Sequence, residues 1–105
     1  MRYTVILVPD REWISVSVPA MPGCVSQGRT RDEALENVRD AIEGWVLAEA
    51  GQGRGPVEES PVLVSAAVAE ALEIIEEMRQ AGEDAARSGY ELELATVDIR
   101  EPAAA

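Results

Sequence analysis

The chain reads as an α+β domain, with a three-stranded antiparallel meander, a final strand beside strand 1, and helices on one face of the sheet, in the order β-β-β-α-α-β. Three observations predict it. Residues Tyr3 to Val8 are apolar or β-branched almost without a break, and Trp13 to Val18 alternate, as two neighbouring strands would. From Arg31 to about Ala50, apolar residues recur every three or four positions, the stripe of a helix lying on a sheet. Tyr90 to Ile99 then returns to period two. With 105 residues, 47% hydrophobic and 28% charged, one domain with a modest core is expected over 1–105.

The unbroken apolar run of the first strand predicts burial on both faces and hence a central position. A polar turn, Pro9-Asp10-Arg11-Glu12, leads to the second strand, with Ile14, Val16 and Val18 on one side and Trp13, Ser15 and Ser17 on the other. Pro19 and Pro22 fix φ and lack an N–H, so pairing must stop after Val18. Gly23 suits a tight reversal, Cys24 follows it, and Val25-Ser26-Gln27 can form a short third strand before Gly28 turns the chain. Thr30 and Glu33 have capping-box spacing, which predicts a helix from about Arg31. Its stripe is Ala34, Leu35, Val38, Ala41, Ile42, Trp45 and Val46, with Glu36, Arg39, Asp40 and Glu43 outside.

Gly51, Gly53 and Gly55 end that helix and open a flexible connector running through Pro56 to Pro61, where no element is expected. A second helix is predicted from about Ser65 to Ala81, with Val68, Leu72, Ile75 and Met78 or Arg79 tracing its face and Gly82 as its stop, within an insert at about 62–88. In the last strand the apolar phase switches between Leu94 and Ala95, which a bulge or burial of both faces would explain. That strand is expected parallel to the first, and the tail at about 101–105 is expected to fray. A sheet with helices on one face only leaves the other for a partner or a second copy, so a homo-oligomer is expected.

Composition excludes much chemistry. There is no histidine, the commonest general base and transition-metal ligand. Cys24 has no histidine to activate it and reads as a small buried core residue. Gly51-Gln52-Gly53-Arg54-Gly55 follows a helix and lacks the Lys-Ser/Thr pair of a phosphate-binding loop. No enzyme activity, cofactor or metal is expected. The net charge of −11, from 20 acids and 9 bases, disfavours direct DNA binding and serves either solubility or an acidic docking face. One cysteine, no secretory pattern and no long apolar run point to the cytoplasm and away from the membrane. Trp45 reads as core from its place on the helix stripe; Trp13 fits either core or interface.

The turn Val18-Pro19-Ala20-Met21-Pro22-Gly23-Cys24, followed by Gly28, Thr30, Glu33-Ala34 and Asp40-Ala41-Ile42, resembles the signature of the HicB-like antitoxins over about residues 1 to 50. Thr96-Val97-Asp98-Ile99 resembles that family's last strand. The resemblance implies a fold similar to a truncated ribonuclease H and a role in binding and silencing a small basic HicA-type toxin, an RNA-cleaving protein. The nuclease centre of the full fold needs an acid within the first strand, and none occurs before Asp10, so the two-metal centre is expected absent. Asp98, Glu33, Glu36 and Asp40 read as solvated charges, and a residual magnesium-dependent nuclease using Asp10 or Asp98 is the last reading. Family members often carry a C-terminal DNA-binding module, but this chain ends six residues after Ile99, where none fits. The toxin would meet either the acidic helix face, with Glu33, Glu36, Asp40 and Glu43, or the sheet surface near Trp13, while Pro19, Pro22, Gly23, Cys24, Gly28 and Thr30 form the structural motif. The other reading is an orphan structural or regulatory module that self-associates through the sheet face or the second helix.

Overall fold

The computed structural model describes residues 1–81 and 92–100. Its elements follow the expected order: β1 (Arg2–Asp10), β2 (Trp13–Ser17), β3 (Val25–Gly28), α1 (Arg31–Gly51), α2 (Pro61–Gln80) and β4 (Glu93–Asp98). The four strands form one sheet in the order β3-β2-β1-β4, so the unbroken apolar strand is central and the last strand lies beside it.

Every pairing is antiparallel, including β1 with β4, which corrects the parallel final strand. One crossover helix would return the chain parallel; two helices, each carrying it across the sheet, return it antiparallel. Pairing of β4 with β1 runs unbroken from Leu7↔Glu93 to Arg2↔Asp98. That continuity excludes a bulge at Leu94 or Ala95. Instead Ala95 and Val97 face α1, and Leu94 lies on the opposite face beside Ile6.

The main core lies between α1 and one face of the sheet. Tyr3, Val5 and Leu7 of β1, Val16 of β2 and Val97 of β4 pack against Ala34, Val38, Ile42 and Val46, all of them buried. These four helix positions follow the three-to-four spacing of the stripe, with Leu35, Ala41 and Trp45 partly buried at its margins.

The second helix departs from expectation in start and position. It begins at Pro61 rather than Ser65, because Ser60 caps it by accepting a hydrogen bond from Leu63 N–H at 3.3 Å and Pro61 occupies the first turn. The two helices do not share a face: Ile75 packs with Val8, Met78 and Leu92, on the side of β1 away from α1. Ile75 is the one fully buried residue of α2; Val68 and Met78 are half-buried, while Leu72, expected on the packed stripe, is 52% exposed. Gly82, Tyr90, the end of the 62–88 insert and the 101–105 tail lie outside the described residues.

The connector between the helices is tied to the body. β2 ends at Ser17, opposite Ile6, so the first residues of β1 have no neighbour on that side. Glu59 fills the gap, accepting from Thr4 N–H at 2.5 Å and from Thr4 Oγ1 at 2.9 Å, while Tyr3 Oη donates to the Val57 carbonyl at 2.5 Å. Burial, and then the nearby Glu59 charge, push the Tyr3 phenol above its ordinary range.

Candidate binding surfaces

The Pro-Gly turn is a plug for the core. Val18, Ala20, Met21 and Cys24 are all buried within it, and backbone bonds close the loop: Val18 N–H to Cys24 O at 3.2 Å, Met21 N–H to Val18 O at 3.0 Å and Cys24 N–H to Met21 O at 2.9 Å. Pro19 is buried and Pro22 exposed. Gly23 adopts φ +92°, a conformation that Cβ-bearing residues avoid. Burial pushes the Cys24 thiol above its ordinary pKa, the opposite of what a nucleophile needs.

Gly28 and Thr30 start α1. A Cβ on Gly28 would meet Ala34 N at 2.4 Å, so only glycine lets the first helical turn rest on β3. Thr30 Oγ1 accepts from Glu33 N–H at 3.1 Å, as the capping spacing predicts. Glu33 answers one residue earlier than expected, accepting from Arg29 N–H at 3.3 Å. At the same helix end, Arg31 bridges to Glu93 of β4 at 2.6 Å. The hydrogen bond to Arg31 is the main reason Glu93 is held below the ordinary carboxylate range.

The proposed partner-binding residues fall on two opposite sides of the molecule. Glu33, Glu36 and Asp40 are exposed and Glu43 is half-buried, all on α1 away from the buried stripe. Trp13 pairs with Asp10 and shares the opposite sheet face, with the Arg29 guanidinium 4.8 Å from its ring centroid. The two groups therefore form separate surfaces.

A third feature escaped sequence reasoning: a groove of about 250 Å³ on the Trp13 side of the sheet, between α2 and the β1–β2 hairpin. Ile6, Ser15 and Ser17 line its sheet wall and Ala71, Ile74 and Met78 its helix wall. The pairings Ile6↔Ser17 and Val8↔Ser15 put these residues on one face. The doubly apolar first strand signalled that this face would be covered, but not by which helix. Among the described residues, no group of three or more His, Cys, Asp or Glu side chains could hold a metal, and no helix is long and apolar enough to cross a membrane.

The described residues thus present three candidate surfaces, and comparison with known proteins supplies a family. The model of the HicB-like antitoxin family of bacterial toxin–antitoxin systems matches residues 3–80. The chain belongs to this family. Its fold is similar to the N-terminal domain of Burkholderia pseudomallei antitoxin HicB, with 25% identity, a TM-score of 0.52, and 94% of this chain and all of that one covered. A likeness of fold alone, at 19% identity and TM-score 0.56, links it to the HicA3 and HicB3 toxin–antitoxin complex, over 95% of this chain and 99% of that one.

Two curated relatives are UPF0150 proteins. The one from Thermoplasma acidophilum is 47% identical over 47 residues, which are 44% of this chain and 68% of the relative. The one from Helicobacter pylori is 40% identical over 43 residues, 41% of this chain and 60% of the relative. The chain thus spans about two thirds of the length of these relatives.

Proposed function

We propose that this HicB-like protein is an antitoxin that binds a small basic HicA-type toxin and neutralises it by covering its RNA-cleaving surface. The observation that carries the reading is the family match over residues 3–80. The fold of a HicB N-terminal domain supports it. So does a net charge of −11, which complements a basic partner and speeds their encounter. In this reading the protein acts in the cytoplasm by association, without catalysis, cofactor or metal.

The test is an affinity pull-down of the tagged protein from lysate of its native host at low salt, followed by an RNA-cleavage assay on whatever small basic protein is recovered. A near-equal amount of such a protein, whose RNA cleavage stops when this chain is added back, is the expected result. Recovery of a partner whose cleavage continues unabated would overturn the antitoxin role.

A further inference from the structure

Resting on the antitoxin reading, we infer that the basic partner places an amphipathic helix beside α2, over the β2–β3 half of the sheet face, with apolar side chains anchored in the groove at Ile74. α2 covers only part of that face, since Ile75 and Met78 pack on Val8 of β1 and Leu92 before β4. On the remaining half, the pairings Ser17↔Val25 and Ser15↔Gln27 bring Val25 and Gln27 alongside the two serines. Val25 is 64% exposed, and on α2 the flank toward this half carries Ile74, which is 49% exposed. Left uncovered by the described residues, a strip two strands wide measures about 10 Å at the usual strand spacing, the diameter of one helix.

The size of the cavity argues for side-chain anchors rather than a small molecule. At about 250 Å³ it falls below the roughly 300–1,000 Å³ of small-ligand pockets, but it suits a few apolar anchors of a docked helix. The serine hydroxyls on its floor keep the strip wettable while it is empty.

Charge selects the occupant. Asp10 stands at the end of the groove, and Glu70 and Glu77 are exposed one turn either side of Ile74. Arg29 is engaged on the Trp13 ring. A helix flanked by Lys or Arg would answer these acids. A second copy of a chain carrying −11 would bring like charge against like.

The experiment uses the full chain, its Ile74→Arg and Ser15→Arg variants, which block the groove from opposite walls, and Glu36→Gln on α1. Two probes are titrated: a synthetic Leu/Lys amphipathic helical peptide, followed by amide chemical shifts, and a purified, catalytically inactivated HicA-type toxin, followed by calorimetry. The expected result is shifts at Ser15, Ser17, Gln27 and Ile74, with affinity for both probes falling roughly tenfold or more in each groove variant, as at an interface anchor. Glu36→Gln probes the competing α1 surface: a change of less than about twofold is expected there, and a loss as large as in the groove variants would place the partner on α1 and overturn the inference.

Absence of peptide binding, shifts confined to α1, or unchanged affinity in both groove variants would overturn the inference. So would sedimentation showing a dimer that Ile74→Arg dissociates, because a second copy would then hold the groove. Toxin bound equally by wild type and both groove variants refutes the groove alone. Toxin that never binds, beside a peptide that does, refutes the antitoxin reading alone.

Discussion

Replacing Gly28 with alanine should be among the most damaging single-methyl changes in the chain. The added Cβ would lie 2.4 Å from Ala34 N and 2.8 Å from both Ala34 Cα and Glu33 C. All three atoms are backbone, so no rotamer change relieves the contact. Since non-bonded carbons settle near 3.5 Å, the first turn of α1 must retreat by about 1 Å, and a gap of that size forfeits a quarter to a half of the dispersion energy at the contacts it opens. Ala34 and Val38, fully buried against the sheet, are the residues that lose it. Overpacking of this kind costs about 1–3 kcal/mol, and for a domain of this size each kcal/mol lowers Tm by roughly 4–8 °C. Gly23→Ala is the internal control: its Cβ would meet nothing within 4 Å, so only the φ of +92° opposes it. Urea and thermal unfolding followed by circular dichroism measure both variants. If Gly28→Ala is no more destabilising than Gly23→Ala, the close approach of α1 to β3 does not carry the weight assigned to it.

Three further outcomes are expected. Thr30→Ala removes the oxygen that accepts from Glu33 N–H and should lower stability by about 1 kcal/mol in urea unfolding, with Thr30→Ser restoring most of the loss. Cys24 is buried with its thiol pKa raised, so alkylation by iodoacetamide at neutral pH should be slow in the folded protein and become fast across the same urea transition that unfolds it; rapid native labelling would contradict the packing of the turn. The Arg31 contact holds Glu93 below its ordinary 4.5, so its stabilisation is fully present above that value and is lost as pH falls through the lower folded value. Glu93→Gln should therefore flatten the acid limb of the stability curve, by less at high salt because both side chains are about half exposed.

The readability of the fold varied with the kind of information each element needs. α1 could be read because its single buried face prints a three-to-four spacing, and Ala34, Val38, Ile42 and Val46 are the residues that pack. The antiparallel direction of β4 could not, since period-two alternation is the same in either direction. The start of α2 was present in Ser60-Pro61, an N-cap followed by a first-turn proline, but the glycines and prolines before it read as one long connector. The side of the sheet taken by α2 depends on where the chain leaves α1, which no local pattern encodes. For binding, the acids and Trp13 were individually visible, yet their separation onto opposite surfaces, and the groove formed by Ile6, Ser17 and Ile74 from distant parts of the sequence, exist only after folding.

Much of the family signature is spent on building the fold, although Thr30, Glu33 and Asp40 within it are exposed. Met21 and Cys24 fill the core, Gly28 admits the helix, and Thr30 caps it. Such positions explain why relatives share the fold. Among the described residues, the exposed large apolar groups other than Leu47 of α1, Trp13, Val25, Leu72 and Ile74 among them, lie on the second sheet face or on α2. If the partner docks in the groove, partner choice is written in residues other than those of the Pro-Gly turn. Grafting the turn from another member should preserve folding and leave partner preference unchanged, whereas exchanging Ile74, Ser15 and the neighbouring acids should alter preference while the fold stays intact. This division is physically reasonable because a buried plug tolerates little change in volume, while a half-covered sheet face can be re-lined one side chain at a time.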